Sequence, residues 1–552
     1  MFNFLNRLCL VCFCLLLLCF DVSLCLSDSL RDFTSCVHSH KIKNFTTFPY
    51  NEHDKSSVNN YYQILNFSLQ NLRYAEPKIP KPIAIVLPES LDQLQKSVAC
   101  SREASLEIRV RGGGHSYEGT SSVADEGTLF VIIDMMNLNH VSVDMETETA
   151  WVEGGATLGE TYYAISQASS VHGFSAGSSP TVGVGGHIGG GGVGLMSRKY
   201  GLAADNVVDA LLVDANGQLL DKETMGEDVF WAIRGGGGGL WGIVYAWKIK
   251  MLKVPQVVTS FIVSRTGTKS NVAKLVHKWQ YVAPNLEDEF YLSCFVGAGL
   301  PGAKTIGLSA SFNGLYLGSR DSAISILNHA FPELGVVEEE CRELSWIESM
   351  IFFSGLGDGA LVPDLKNRYL QNKPFLKSKS DFVRNHVPLV GIGTALDILE
   401  KEPRGFVLLE PYGGGMDSIC SESIAFPHRS GNLFSILYMI DWNEADNDKS
   451  SDYIDWIRGL YASMTPFVSS GPRAAYVNYM DFDLGVMEKI SNVASPRDAV
   501  DKAKVWGEKY FLSNYYRLVR AKTQIDPSNV FTNEQGIPPM PFTSSNAKPQ
   551  CT

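Results

Sequence analysis

The amino-acid sequence predicts an α+β protein of several domains, and three observations predict it. The chain has 552 residues, which by length alone corresponds to about two to four domains. Residues 83–111 have the pattern of strand, helix and strand: apolar residues recur at helical spacing after Ser90, and apolar and charged residues alternate from Leu106 to Arg111. From about residue 256 onward, predicted strands and helices alternate, as in a sheet covered by helices.

The composition is that of a folded globule. Hydrophobic residues make up 45% and charged residues 19% of the chain, which argues against disorder and against a protein that crosses a membrane many times. The formal net charge of -12 argues against wrapping nucleic acid or lying on an anionic membrane. The departure from average is glycine, with 50 residues, or about 9% against the usual ~7%.

The N-terminus indicates a secretory leader. Arg7 precedes an apolar run from Leu8 to Phe20 that is too short to span a bilayer comfortably. We expect a signal peptide over residues 1–26, with a signal anchor as the alternative. The destination would be the vacuole or the apoplast, and the triplets that begin at Asn44 and Asn66 would then be glycosylated.

Six cysteines follow the leader, and an oxidising compartment would permit disulfides among them. Their spacing alone does not fix the pairing. They form no CxxC pair and the chain has no HExxH motif, so we expect no metal site. The six are Cys36, Cys100, Cys294, Cys341, Cys420 and Cys551.

Three glycine runs, at residues 112–114, 183–194 and 235–239, adjoin predicted strands. Glycine lets the main chain approach a ligand and leaves backbone N–H groups free for a pyrophosphate. Each run alone is equally typical of turns and bulges, but the three together favour a large dinucleotide. The GxGxxG spacing with a following acidic residue is not met, which disfavours a plain NAD site.

Eleven motifs follow one another between residues 80 and 539. They are PKPIAIVLPES, RVRGGGHSYEG, WVEGGATLGE, PTVGVGGHIGGGG, RKYGLAADNVVDA, GEDVFWAIRGGGGG, PYGGGM, FPHR, WGEKYF, DPSNVF and NEQGIPP. With these motifs the sequence resembles the plant berberine bridge enzyme-like FAD-linked oxidases, which include reticuline oxidases, cannabinoid synthases, monolignol oxidoreductases and carbohydrate oxidases.

The resemblance implies the vanillyl-alcohol-oxidase (PCMH-type) FAD-binding fold with an inserted antiparallel-sheet substrate domain. The FAD-binding domain would comprise residues 27–255 and 475–552, and the substrate-binding domain residues 256–474. The resemblance also implies a disulfide between Cys36 and Cys100.

The resemblance further implies how FAD is held. His115 matches the histidine that is bonded covalently to the flavin 8-methyl group. Most relatives add a second bond from a cysteine, but Ser179 stands at that position, so we expect attachment through His115 only and a less oxidising flavin. Val182, three residues later, is the residue that admits oxygen to the flavin in relatives. The expected cofactor contacts are Arg111, Gly112, Gly113, Gly114, His115, Ser116, Ser179, Thr181, Val182, Gly185, Gly186, His187, Gly191, Val244 and Asn533.

On the substrate side, the resemblance places the strands FVLLEPYGG and LFSILYMIDW opposite the flavin. Many relatives carry a Glu or Gln base on the second strand, where this chain has Ser435 and Leu437. Glu410 on the first strand is the replacement candidate, because burial would raise its pKa; an exposed or ion-paired carboxylate is the alternative. Tyr476 and Tyr479 match a YxNY motif whose second tyrosine is a base or orients the substrate, with core packing as the alternative.

The sequence therefore predicts a secreted FAD-dependent oxidase of plant specialised metabolism. It would transfer a hydride from a small alkaloid or phenolic substrate to covalent flavin and pass the electrons to O2, giving H2O2, with or without ring closure. The alternatives are a non-redox cyclase that contains flavin, a carbohydrate or monolignol oxidase, and a catalytically silent glycosylated binding protein. We expect a monomer that binds its substrate and O2, with no nucleic-acid or membrane partner.

Overall fold

The computed structural model describes residues 28–49, 55–301, 307–487 and 495–540. The predicted signal peptide at residues 1–26 and Cys551 lie outside these ranges. Within the described ranges, the helices are too short or too polar for any of them to cross a lipid bilayer.

The first part of the chain forms the strand–helix–strand unit that the sequence predicts. Ser90 begins α3 by accepting a hydrogen bond from the Gln93 N–H group, and β2 and β3 both pair with β4 in parallel. β1 completes a sheet of order β1-β2-β4-β3. The disulfide Cys36–Cys100 joins α1 to α3. The elements are α1 (28–39), β1 (Phe45–Thr47), α2 (Lys55–Phe67), β2 (Ala84–Val86), α3 (Leu91–Glu103), β3 (Glu107–Arg111) and β4 (Phe130–Asp134).

A second sheet, antiparallel throughout, follows in the order β5-β6-β10-β8-β9. Thr157 and Glu160 cap α4 reciprocally, as predicted. The elements are β5 (Val141–Asp144), β6 (Thr149–Glu153), α4 (Leu158–Ala168), β7 (His172–Gly173), α5 (Val184–Gly189), α6 (Ser197–Tyr200), β8 (Val207–Val213), β9 (Leu219–Leu220), α7 (Lys222–Met225), α8 (Glu227–Ala232), β10 (Ile243–Lys250) and β11 (Leu252–Lys253).

The middle of the chain forms an antiparallel sheet of seven strands in the order β15-β12-β14-β13-β17-β18-β16. Its side chains alternate between two faces, one packed on helices and one turned to a cavity. The elements are β12 (Val258–Thr266), α9 (Lys269–Val282), β13 (Phe290–Gly297), β14 (Ser309–Tyr316), α10 (Arg320–Ala330), β15 (Arg342–Leu344), α11 (Trp346–Phe352), β16 (Phe375–Val383), α12 (Leu389–Leu399), β17 (Gly405–Pro411), β18 (Phe434–Trp442) and α13 (Ser450–Ser463).

The C-terminal part returns to the first half of the molecule. Helices α14 (Pro496–Phe511) and α15 (Tyr515–Ile525) pack there, and α15 contacts α8. The buried Arg109 guanidinium on β3 pairs with the Glu534 carboxylate at 3.0 Å. Both ends of the chain therefore build one body beside the seven-stranded sheet.

Candidate active site

A cavity of about 650 Å³ lies between the glycine-rich loops and the open face of the seven-stranded sheet. One wall comes from all three glycine runs, and the opposite wall comes from β13, β14, β17 and β18. The segments around Tyr479 and Asn533 close the cavity from the C-terminal side. It is therefore assembled from distant parts of the chain.

The first two glycine runs touch each other through their backbones. A Cβ atom on Gly113 would lie 2.5 Å from the Gly183 nitrogen, and one on Gly114, whose φ is +70°, would collide with the Ser68 carbonyl oxygen. A larger residue at Gly113 would push the two loops apart, and one at Gly114 would displace the Ser68 backbone, so glycine is required at both positions.

The glycine wall fits the pyrophosphate-containing cofactor that the resemblance implies. Around Gly186 the space is open, and a Cβ atom there would meet no heavy atom within 4 Å. Within the described residues, the N–H groups of Gly113, Gly114 and His115 donate to no protein acceptor. The Arg109 guanidinium in the wall is already bonded to protein acceptors. An anionic ligand would therefore be bound here by uncharged backbone N–H groups.

His115 lies in the wall with its Nε2 atom 2.9 Å from the Thr181 hydroxyl oxygen. Burial lowers the pKa of His115 to about 4, although the contact with Thr181 opposes this shift. The imidazole is therefore neutral near pH 7 and keeps a nitrogen lone pair for bond formation. Burial also lowers the pKa of His187 to about 4, and its Nε2 accepts a hydrogen bond from the Gly177 N–H at 3.1 Å.

Glu410 faces the cavity from the end of β17, and its side chain is almost completely buried. The Tyr479 hydroxyl donates a hydrogen bond to Glu410 Oε2 at 3.1 Å, and the Ser435 hydroxyl donates one at 3.4 Å. Burial raises the pKa of Glu410 to about 7, and these two hydrogen bonds limit the rise. The carboxyl group is therefore poised to exchange a proton near neutral pH.

Tyr476 connects Tyr479 to the glycine wall. Its hydroxyl oxygen accepts hydrogen bonds from the Gly192 N–H and from Asn478 Nδ2, both at 3.0 Å. Its ring meets the Tyr479 ring edge-on, with centroids 4.9 Å apart. The Tyr476 N–H donates to the Ser380 hydroxyl on β16 at 3.0 Å. Tyr476 thus holds the segment in place, whereas Tyr479 reaches the carboxylate.

The structure brings most of the expected site residues to the cavity and leaves four behind its wall. Arg111 is buried and bonded to Asp134 and to two carbonyl oxygens, and Gly191 lies against Phe426. Thr181 and Ser435 contact the wall residues His115 and Glu410 from behind. The expected residues that line the cavity are Gly112, Gly113, Gly114, His115, Ser116, Ser179, Val182, Gly185, Gly186, His187, Val244, Glu410, Leu437, Tyr476, Tyr479 and Asn533.

Several polar residues of the cavity wall were not predicted from the sequence, among them Tyr117, Ser293 and Asn313. Tyr117 packs edge-on against Tyr479 with ring centroids 5.6 Å apart; it follows His115 by two residues in the same motif, which was the available signal. Ser293 and Asn313 line the cavity from β13 and β14. Ser293 has Tyr291 and Phe295 as its neighbours on the same face of its strand, which was its signal, whereas the strand of Asn313 gave none.

Comparison with known proteins agrees with this geometry. Residues 82–222 match the family model described as "FAD binding domain", and residues 475–538 match "Berberine and berberine like". The chain is 60% identical over 525 residues to "Berberine bridge enzyme-like D-2" of Nicotiana tabacum, covering 93% of this chain and 92% of that protein. It is 49% identical over 508 residues to a reticuline oxidase of Papaver somniferum, covering 92% of each.

Solved structures of berberine bridge enzyme and its relatives are also similar to this protein. The berberine bridge enzyme from Eschscholzia californica superposes with a TM-score of 0.87 at 47% identity, over 92% of this chain and 99% of that one. A Phl p 4 variant that is a glucose oxidase superposes with a TM-score of 0.83 at 39% identity, over 93% and 100%. Fold and cavity thus define an FAD-linked oxidoreductase with the FAD-binding fold expected from the sequence. The chain belongs to the berberine bridge enzyme-like family.

Proposed function

We propose that this protein is a secreted oxidase that takes a hydride from a small alkaloid or phenolic substrate and reduces O2 to H2O2. The observation that carries the proposal is Glu410, a buried carboxyl group at the cavity whose pKa is raised to about 7. Within the described residues it has no cationic partner. A carboxylate in this state is suited to accept a proton from a substrate.

Glu410 would take the proton on Oε2, the oxygen that Tyr479 and Ser435 already contact. A hydrogen bond from the Tyr479 hydroxyl favours the ionised form of the carboxyl group, so it keeps part of Glu410 ready as a base. Bound FAD would supply the hydride acceptor and the route for electrons to oxygen. Removal of the proton from an amine or phenol raises electron density in the substrate and assists hydride loss.

The sheet side of the cavity supports an apolar substrate. Phe295, Phe406 and Leu408 line it from β13 and β17, and Leu437 and Met439 line it from β18. A sugar would place several of its hydroxyl groups against these apolar side chains, at a cost in binding. Flat aromatic rings instead bury apolar area there.

The proposed attachment of FAD is through His115 alone. Ser179 lines the cavity at the position where most relatives have cysteine, and a serine hydroxyl cannot form the thioether. Mass spectrometry of flavin peptides tests this: we expect one adduct, on the peptide containing His115. An adduct on a second peptide would contradict it.

We further propose a monomer with the domain limits given above and a destination in the vacuole or apoplast. The seven-stranded sheet, from Val258 to Trp442, falls inside the proposed substrate domain at 256–474. Asn66 is exposed and Asn44 is half-buried, so both acceptor asparagines are within reach of a glycan. Deglycosylation should lower the apparent mass, and sedimentation should give the mass of one chain.

Anaerobic mixing of the purified holoprotein with a panel of alkaloids, phenols and sugars tests the function. We expect alkaloids or phenols to bleach the flavin absorbance, and added oxygen to restore it with one H2O2 per turnover. Product formation without bleaching would favour the non-redox cyclase. Bleaching by sugars alone would favour the carbohydrate oxidase, and no bleaching and no product would refute the oxidase.

A further inference from the structure

One row of polar side chains crosses four strands on the cavity face of the seven-stranded sheet. Asn313 on β14 lies opposite Ser293 on β13, and Glu410 on β17 lies opposite Ser435 on β18. The register of β13 on β17 makes Ser293 the neighbour of Glu410. The row therefore runs from Asn313 through Ser293 to Glu410 and Ser435.

On β13, β17 and β18 this row stands out because its neighbours on the same face are apolar or aromatic, whereas on β14 the neighbour Ser311 is itself polar. Residues two positions away along each strand point to the same side of a sheet. On β13, β17 and β18 these neighbours also line the cavity. They are Tyr291, Phe295, Phe406, Leu408, Leu437 and Met439.

Asn313 has no structural reason to be polar. Its side chain lines the cavity, and its Oδ1 atom is shielded from water without a hydrogen-bond partner among the described residues. Asn313 as a whole is half-buried, but a buried amide oxygen without a partner costs stability, and a leucine of similar size would fill the same place without that cost. Ser293 beside it is also almost completely buried.

We propose that Asn313 and Ser293 form a polar subsite that binds a hydroxyl group at the far end of the substrate. The inference rests on the proposed function, because it takes Glu410 as the end where the substrate loses its proton. Asn313 lies two strands from Glu410, which corresponds to about 10 Å. A hydroxyl group both donates and accepts, which matches a carboxamide and a serine hydroxyl. The substrate class is thus an aromatic amine or phenol that carries a second hydroxyl group.

Two probes that differ in one hydroxyl group test the subsite: tyramine and phenethylamine. Each is titrated into the holoprotein, and Kd is read from the change in the flavin absorbance spectrum. We expect tyramine to bind at least about tenfold more tightly, as for a gained hydrogen bond to a buried partner. In Asn313→Leu this preference should disappear, while Ser311→Ala, on the same strand but outside the cavity wall, should keep it.

Thermal unfolding separates a binding role from a structural one. Asn313→Leu should melt at or above the temperature of the wild type, because the unpaired carboxamide is removed. Should this variant fail to fold, Ser293→Ala, which removes only one oxygen atom, must reduce the preference instead.

Equal Kd values for the two probes, or no measurable binding of either, would overturn the subsite. So would a preference that survives in Asn313→Leu. These constants do not depend on turnover, so a panel without any bleaching refutes the proposed oxidase, whereas a missing hydroxyl preference refutes only the subsite.

Discussion

Buried carboxylates lie at two places near Tyr479, at Glu410 and around Asp481, and they differ in their counter-charges. Among the described residues, Glu410 has only hydroxyl groups as hydrogen-bond partners. Asp481, two residues after Tyr479, is bonded to the buried ammonium groups of Lys377 at 2.6 Å and Lys379 at 2.5 Å. Lys377 also pairs with Glu118. One carboxylate is thus left without a cation in a protein that buries two lysines close by.

The difference separates the proposed site of proton transfer at Glu410 from a structural anchor at Asp481. Burial raises the pKa of Glu410 to about 7 against the opposing effect of the hydrogen bonds from Tyr479 and Ser435. Around Asp481, burial lowers and the neighbouring carboxylates raise the pKa of Lys377, with a net rise above its usual value. Lys377 therefore stays protonated over the whole physiological range, whereas Glu410 changes its protonation there.

The largest effect should follow from removing the unpaired carboxylate. Glu410→Gln keeps the shape of the side chain but cannot accept a proton, so flavin reduction by substrate should slow by about 10²- to 10⁴-fold. Anaerobic stopped-flow measurement gives the rate, with the flavin spectrum and melting temperature as controls for folding. A rate within threefold of the wild type would exclude Glu410 as the base.

Removing the counter-charge from the anchor should destabilise the fold. Lys377→Met leaves Glu118 and Asp481 facing each other in a buried site, which should cost about 3–5 kcal/mol of unfolding free energy. Lys379→Met is the matched control, because Lys379 lies on the same strand as Lys377, is equally buried and also bonds Asp481. Of these two lysines, only Lys377 bonds Glu118 as well. In denaturant titrations, the free energy of unfolding should fall less in Lys379→Met than in Lys377→Met. Equal losses would contradict the role of Lys377 as a bridge between Glu118 and Asp481.

The raised pKa of Glu410 predicts how stability depends on pH. Since this pKa moves from the 4.5 of a free glutamate to about 7 in the fold, the folded protein keeps a proton that the unfolded chain releases. Its contribution to stability is complete below pH 4.5 and is lost as the pH rises through 7. As the pH rises through this window, the free energy of unfolding of the wild type should therefore fall by roughly 3 kcal/mol relative to that of Glu410→Gln. Parallel stability curves for the two proteins would show that the pKa is not raised.

Tyr479→Phe should have the smallest effect. Loss of its hydrogen bond to Glu410 removes one interaction that favours the carboxylate, so the pKa seen in the pH dependence of flavin reduction should rise by about one unit. At pH values above that pKa, flavin reduction in Tyr479→Phe should be slower than in the wild type by about tenfold or less. Ser435→Ala is the comparison, since its hydrogen bond to the same oxygen is longer. An unchanged pH profile would remove Tyr479 from this role.

Much of the fold could be predicted from the sequence, because local patterns decide it. The cap at Ser90, the capping box of Thr157 and Glu160, the strand before the first glycine run and the strand after the third are all present as predicted. Motif resemblance also supplied Glu410 and Tyr479, which the structure joins by a hydrogen bond.

Long-range pairings were beyond the sequence. Lys377 lies on a strand that sequence reasoning did not identify, and its partner Glu118 is distant in the chain. Asn313 looked like any polar strand residue until the register with β13 placed it beside Ser293. Arg111 belongs to the motif that leads to His115, yet its guanidinium turns away to Asp134. Local spacing does not tell which way such a side chain points.

The order in which the chain is synthesised limits when the cavity can form. Its walls include Gly112 near one end of the chain, the sheet residue Glu410, and Asn533 close to the other end. While Asn533 is still inside the ribosome, the cavity lacks one of its walls, even if the glycine loops are already folded. We therefore expect the complete FAD-binding site to form only after synthesis of the chain has ended. Fragments that end before residue 475 should be purified without flavin absorbance.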